Sequence, residues 1–432
     1  MMMKMNRMTV LTLAAGLAIA TSTHAQVSSQ LVPIENVEPF GAPVVAPVVA
    51  PVSAETPVIE VVFVLDTTGS MGGLLEGAKQ KIWSIANAIA TAQPTPDIKI
   101  GLVGYRDRGD TYITVRTAMT SDLDAIFSDL MKYEALGGGD TPESVNQALN
   151  EAVTLFEWSS DENALKLIYL VGDAPPHMDY QDDVRYHDSC AIAAEAGIII
   201  NTIQCGNIGG TDVIWQEIAR LSEGEYFAID QTGGMLAVAT PYDEELARLS
   251  IDLDGTLLAY GDREERELLA SKLEAGREID ASAPASALAD RARYKAGEAG
   301  ADSLTGRQEL VRDIAEGKAN LNELKDDELP EIMQKMTPEE RVAYVKAQQT
   351  KRDNIRQQIT EIDGRRQAFL KEALGKKTDG FDQKVMVALR LQAAKKGIVY
   401  DVPDVPDESP DKEPTAEPEK EGSKKDPKKD DK

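Results

Sequence analysis

Val58-Ile59-Glu60-Val61-Val62-Phe63-Val64-Leu65-Asp66-Thr67-Thr68-Gly69-Ser70-Met71 is the stretch on which the fold turns. Val58–Leu65 is a continuous apolar, β-branched run broken by one acid, the pattern of a strand buried on both faces. It stops at an aspartate and opens into a short polar loop. Leu74–Ala90 then has helical spacing, with Leu75, Ala78, Ile82, Ile85 and Ile89 on one face. The alternation continues outward. Ile98–Tyr105 reads as a second strand, and Tyr112–Thr117 as a short third one expected antiparallel at an edge. Leu123–Tyr133 and Ser144–Phe156 read as helices, Leu165–Val171 as a buried strand, and Val184–Ala196 as a helix. Ile198–Gln204 is a strand, Asp212–Leu221 a helix and Glu225–Ile229 a last strand. Strands alternating with helices of this length predict an α/β fold, a doubly wound, mainly parallel sheet with helices on both faces. Trp83 and Trp215 fall on apolar helix faces and belong in the core.

The 432 residues leave room for more than this unit, which spans 57–232. Lys4 and Arg7, an apolar run from Met8 to Ala20 and Thr23-His24-Ala25 predict a signal peptide over 1–25 and an exported protein, periplasmic or secreted. After its removal no stretch reaches membrane length. Residues 26–56 carry a Pro/Val/Ala-rich repeat that predicts an extended linker. Strand signals vanish over 233–400, where helix formers dominate. The clearest helix opens at Thr337-Pro338-Glu339-Glu340, a capping box with proline at the first helical position, and is expected to run to about Leu374. Its apolar stripe, with Val345, Ile359, Ile362 and Phe369, is interrupted by Gln348, Arg352 and Arg366. That argues for antiparallel helix packing over a long coiled coil. Residues 401–432, almost wholly Pro, Asp, Glu and Lys, predict a disordered tail. Gly233-Gly234 and Pro241 mark the expected join between two separable modules, although Leu246, Leu249, Ile251 and Leu253 are apolar enough to cover an exposed face of the first.

Charge narrows the partners. The chain carries -27, and residues 57–232 hold 27 acids against 10 bases, a balance of -17. Residues 233–400 hold 31 acids against 27 bases, a balance of -4. An acidic first domain repels phosphate backbones and attracts cations, so nucleic acid is not an expected partner.

In an open α/β sheet, ligands bind beyond the carboxyl ends of the strands. Asp66, Thr68 and Ser70 alternate along the first such loop. Leu170-Val171-Gly172-Asp173 places a second carboxylate at the same edge, and Gly137-Gly138-Gly139-Asp140-Thr141-Pro142-Glu143 offers the Thr141 hydroxyl. Two carboxylates and three hydroxyls are hard oxygen donors, suited to Mg²⁺, Mn²⁺ or Ca²⁺.

These residues resemble the metal-ion-dependent adhesion site of von Willebrand factor type A (VWA) domains, Asp-x-Ser-x-Ser with a distant threonine and aspartate. Asp66, Thr68 and Ser70 match the first part, with Thr68 in place of serine; Thr141 and Asp173 match the rest. The resemblance covers about residues 57–232. It implies a VWA/Rossmann-like sheet, a divalent metal at those five residues, and a protein partner whose exposed acidic side chain completes the coordination. Together with the bacterial-looking signal at Met1–Ala25, it leads to the expectation of a binding module of the bacterial cell envelope, an adhesion or scaffold protein and not an enzyme.

Other residues compete for a role. Arg108-Gly109-Asp110 spells an integrin-recognition tripeptide, best read as a chance product of a polar loop. Asp107 and Asp110 read as a solvated loop before a second cation site. His177 is placed to overhang the first site; as a general base it has no accompanying nucleophile motif. A zinc site from His187, Cys190 and Cys205 lacks the usual spacing. Cys190 and Cys205, the only cysteines, are expected close enough for a disulfide in an oxidising compartment, with two buried free thiols as the alternative. Two further readings are an envelope scaffold acting through its helical region with a structural metal, and a metal-dependent hydrolase. Against the last, the chain has no Gly-x-Ser-x-Gly, His-Glu-x-x-His or phosphate loop.

Overall fold

Val58–Asp66 (β1) forms the middle of a six-stranded sheet, buried along its length except at Val58. A computed structural model describes residues 56–234, 238–300, 309–374 and 380–400. The expected signal peptide, the tail and all but the last residue of the linker lie outside the described residues. After β1 come α1 (Gly72–Ile89), β2 (Ala92–Gln93), β3 (Asp97–Tyr105), β4 (Thr114–Thr120), α2 (Leu123–Met131), α3 (Val145–Thr154) and β5 (Leu165–Gly172). Then follow α4 (Tyr186–Glu195), β6 (Ile198–Cys205), α5 (Thr211–Leu221) and β7 (Tyr226–Ile229). The order across the sheet is β4-β3-β1-β5-β6-β7. β3, β1, β5, β6 and β7 run parallel, and β4 closes one edge antiparallel to β3, as expected. The carboxyl ends of β1 and β5, where Asp66 and Asp173 stand, therefore lie side by side.

The period-2 alternation of β1 sorts its side chains between two cores. Ile59, Val61, Phe63 and Leu65 face α1 and α2, while Val62 and Val64 face α3, α4 and α5. Trp83 and Trp215 are buried on opposite sides of the sheet, as expected. The same alternation overturns the disulfide. Cys205 lies on the α1 side of β6, whereas Cys190 projects from α4 into the other core, and both thiols are free. The sheet itself separates them, which also removes the zinc reading with His187. Burial pushes the Cys190 thiol up to about 12.

The remaining helices are α6 (Asp243–Asp254), α7 (Arg263–Ser282), α8 (Ala285–Ala296), α9 (Leu310–Ala315), α10 (Pro338–Leu374) and α11 (Phe381–Ala394). The capping box at α10 is present: Glu340 N–H donates to Thr337 Oγ1 at 3.3 Å, and Thr337 N–H donates to Glu340 Oε2 at 2.8 Å. The two arginines that interrupt its apolar stripe are buried anchors. Arg352 pairs with the fully buried Glu309, and Arg366 with Asp243 and Asp290.

The helical region is not a separate body, which corrects the expected join at Gly233. Phe381, Val385 and Leu389 of α11 and Ala287, Leu288 and Tyr294 of α8 belong to the same apolar core as Phe63 and Leu65. Phe63 meets Phe381 at a ring distance of 6.0 Å, and Tyr169 of β5 donates its hydroxyl to Val385 O at 3.0 Å. Asn201 and Gln392 exchange amide hydrogen bonds at 3.0 and 2.6 Å. Val399–Tyr400 (β8) pairs antiparallel with β2, tying residues near the end of the described chain to the loop after α1. Arg291 of α8, fully buried, is held by Asp124 of α2 and by Asp280. Three helices, α7 through Ile279 with α8 and α11, and the strand β8 from the second half thus complete the core of the first. Leu246, Leu249 and Leu253 turn instead toward α8 and α10, and Ile251 is exposed.

Candidate functional site

At the end of β1 the chain turns so that Asp66 becomes the acceptor for the residues that follow it. Thr68 donates both its N–H, at 2.8 Å, and its hydroxyl, at 2.6 Å, to Asp66 Oδ1. Ser70 Oγ lies 3.2 Å from Thr68 Oγ1. The structure therefore brings Asp66, Thr68 and Ser70 into one hydrogen-bonded set, Ser70 being its exposed member. Asp66 Oδ2 is buried and has no hydrogen-bond partner. Burial raises the Asp66 carboxyl to about 7; the Asp173 charge adds to the rise and the Thr68 bonds oppose it.

Asp173 follows β5 and is braced from α5: Thr211 Oγ1 donates to its carbonyl at 3.2 Å, and Trp215 Nε1 to the next carbonyl, Ala174 O, at 3.3 Å. Its Oδ2 accepts from Gln231 Nε2 at 2.7 Å, and the same amide reaches Ser70 O at 3.4 Å. Gln231, which no sequence motif singles out, thus joins the two ends of the site.

The glycine loop docks against the first loop through its backbone: Gly69 N–H donates to Gly137 O at 3.2 Å and Leu136 N–H to Thr67 O at 3.1 Å. Gly137 and Gly138 have φ of +82° and +84°, a region that side chains rarely adopt. A Cβ on Gly137 would also collide with the Asp110 carboxylate, whose Oδ2 accepts from Gly138 N–H at 3.2 Å. Thr141 lies exposed on this loop. Glu143, two residues on, is the buried one. A Cβ on Gly138 would stand 3.4 Å from Thr68 Cβ and 3.6 Å from Glu143 Oε1, so the Glu143 carboxylate and Thr68 face the same point. Glu143 Oε2 is buried without a hydrogen-bond partner, and burial, with Asp66, Asp107, Asp110 and Asp173 nearby, pushes this carboxyl up to about 9.

Asp107 corrects the reading of a solvated loop. It is buried, accepting from Ser144 Oγ at 2.9 Å and from the Tyr180 hydroxyl at 2.9 Å. Asp110 bonds within the loops. Arg108 is engaged with Asp182 and Asp183 and stacks over Tyr180, so the tripeptide's cation is occupied. His177, expected over the first site, is buried, and its ring faces Asp107, Asp140 and Asp179. Sequence reasoning missed Glu143 and Gln231, and it set Asp107 aside as part of a solvated loop. The available signal for Glu143 was its place at the end of the glycine loop.

Two buried carboxylate oxygens left unpartnered, Asp66 Oδ2 and Glu143 Oε2, fit a hard dication: an orphaned anionic acceptor is costly to bury without one. The donor set of carboxylates and hydroxyls suits Mg²⁺, Mn²⁺ or Ca²⁺.

Residues 60–231 match the von Willebrand factor A domain model. A viral ariadne-like RING finger protein of Acanthamoeba polyphaga mimivirus is 32% identical over 120 residues, 28% of this chain and 11% of that protein. Human von Willebrand factor A domain-containing protein 7 is 36% identical over 121 residues, 28% of this chain and 12% of that protein. The chain thus matches only about a tenth of the length of these relatives. Among solved structures, mussel byssus proximal thread matrix protein 1 superposes with a TM-score of 0.32 at 14% identity, over 42% of this chain and 44% of that one. Residues 60–231 are thus similar to a von Willebrand factor A domain, a likeness that suggests a protein-interaction module, commonly one that uses a divalent metal.

Proposed function

We propose that this chain is a divalent-metal-dependent protein-binding module of the bacterial cell envelope, an adhesion or scaffold protein and not an enzyme. The observation that carries the reading is Asp66 Oδ2, buried and unpartnered at the end of the central strand. Asp66, Thr68, Ser70 and Asp173 hold the cation, which is Mg²⁺, or Mn²⁺ or Ca²⁺, and Thr141 comes from the glycine loop. The cation supplies Lewis acidity for one further anion. A partner protein offers that anion as an exposed acidic side chain. The chain's own residues prepare the place: Thr68 fixes one Asp66 oxygen so that the other stays free, and the Gln231 amide holds Asp173 against the Ser70 backbone. Export rests on the Met1–Ala25 pattern alone.

The test is capture of envelope proteins on immobilised full-length chain, in Mg²⁺ and in EDTA, with Asp173→Ala as the second bait. A partner held by the wild type in Mg²⁺, released by EDTA and missed by Asp173→Ala supports the reading. A partner indifferent to both EDTA and Asp173→Ala contradicts it, and points to the helical region as the binding surface.

A further inference from the structure

We propose that Asp107, Asp140 and His177 form a second cation site, separate from the first and suited to a borderline transition dication such as Zn²⁺. Three loops bring them together: Asp107 follows β3, Asp140 ends the glycine run and His177 follows β5. One ligand atom from each lies within 4.8 Å of the other two.

His177 is what distinguishes this group from an ordinary acidic cluster. Its side chain is 6% exposed, and Nε2 stands 3.4 Å from Asp107 Oδ2 and 3.7 Å from Asp140 Oδ2. Neither approach is a hydrogen bond, and the nitrogen has no partner. A buried ring nitrogen aimed at two carboxylates, yet bonded to neither, has the placement of a ligand. Its other nitrogen, Nδ1, lies 2.8 Å from Asp179 Oδ1. With the proton on Nδ1, Asp179 accepts it and the Nε2 lone pair points into the group, the support that metal-bound histidines receive. The ring is fixed by stacking on Tyr180 at 4.1 Å and 12°. The Tyr180 hydroxyl in turn donates to Asp107, as does Ser144, so two of the three ligands are held before any ion arrives.

The donor set differs from that of the first site. One imidazole nitrogen and two carboxylates favour zinc and its neighbours, whereas the first site offers oxygen only. Three protein ligands leave a position open to solvent, on the side where the Asp140 side chain is 63% exposed. An ion here removes the repulsion between Asp107 and Asp140 and ties the glycine loop to the ends of β3 and β5.

The experiment is Zn²⁺ titration into chelator-stripped full-length chain by calorimetry, with Co²⁺ absorption as a probe of nitrogen ligation. The wild type is expected to show a saturable site that His177→Ala and Asp140→Asn lose or weaken at least about tenfold, and that Asp179→Asn weakens about tenfold. Asp66→Ala is expected to keep it. Because Asp140 is exposed, Asp140→Asn leaves the fold intact even where His177→Ala does not. Wild-type affinity in Asp140→Asn and in a folded His177→Ala overturns the proposal. So does loss of Zn²⁺ in Asp66→Ala, which assigns the ion to the first site, and so does a wild type that takes up none.

Discussion

Asp66 is an acid placed where an acid is poorly tolerated. Burial and the Asp173 charge hold its carboxyl near about 7, so in the metal-free protein its ionisation opposes folding. The sign follows from linkage. Below the unfolded value of about 3.9 the group is protonated in both states and imposes no penalty. As pH rises the penalty grows, and it is complete above about 7. In chelator, Asp66→Asn is therefore expected to be more stable than wild type at about pH 8, by up to about 4 kcal/mol at roughly 1.36 kcal/mol per unit. The gain should fade toward about pH 4. Saturating Mg²⁺ reverses the order, because the cation stabilises only the chain that binds it. Urea unfolding at the two pH values checks this; a gain independent of pH contradicts it. Asp66, Thr68 and Ser70 were legible because they are neighbours in sequence whose oxygens converge through local hydrogen bonds. Glu143 and Asp107 were not. What marks them is burial, and Tyr180 and Ser144, which cover Asp107, come from other loops.

The strands and helices of the first half follow from hydrophobic period, and they stand within a few residues of expectation because pattern and burial agree there. The helix cap at Thr337 was legible for the same local reason. What α11 packs against was not. Its apolar face, with Phe381, Val385 and Leu389, declares that it must be covered, yet no spacing reveals that the cover is a sheet begun more than three hundred residues earlier. Phe381→Ala removes the ring that meets Phe63, and should cost about 3–5 kcal/mol. Fluorescence of Trp83 reports on α1, across the same core. One unfolding transition, shifted as a whole in Phe381→Ala, is the expected result. A variant whose Trp83 signal unfolds as in wild type would return the helical region to the status of a separate module. The two-residue pairing of β2 with β8 was invisible for a simpler reason: two residues carry no period.

Charge links the two halves of the molecule differently in each. The first half keeps a balance of -17, and six of its 27 acids, Asp66, Asp107, Asp110, Asp140, Glu143 and Asp173, lie on the strand ends and loops around the candidate site. The second half, near neutral at -4, spends its acids on buried partners such as Arg291, Arg352 and Arg366. On the proposed reading, the acids left without a basic partner around that site are where the cations are held. The most direct measurement is calorimetric titration of Mg²⁺ into the stripped full-length chain, wild type beside Asp173→Ala. Saturable binding in the wild type, lost in an Asp173→Ala chain of unchanged fold, is the predicted result. Equal Mg²⁺ affinity in the two would contradict it.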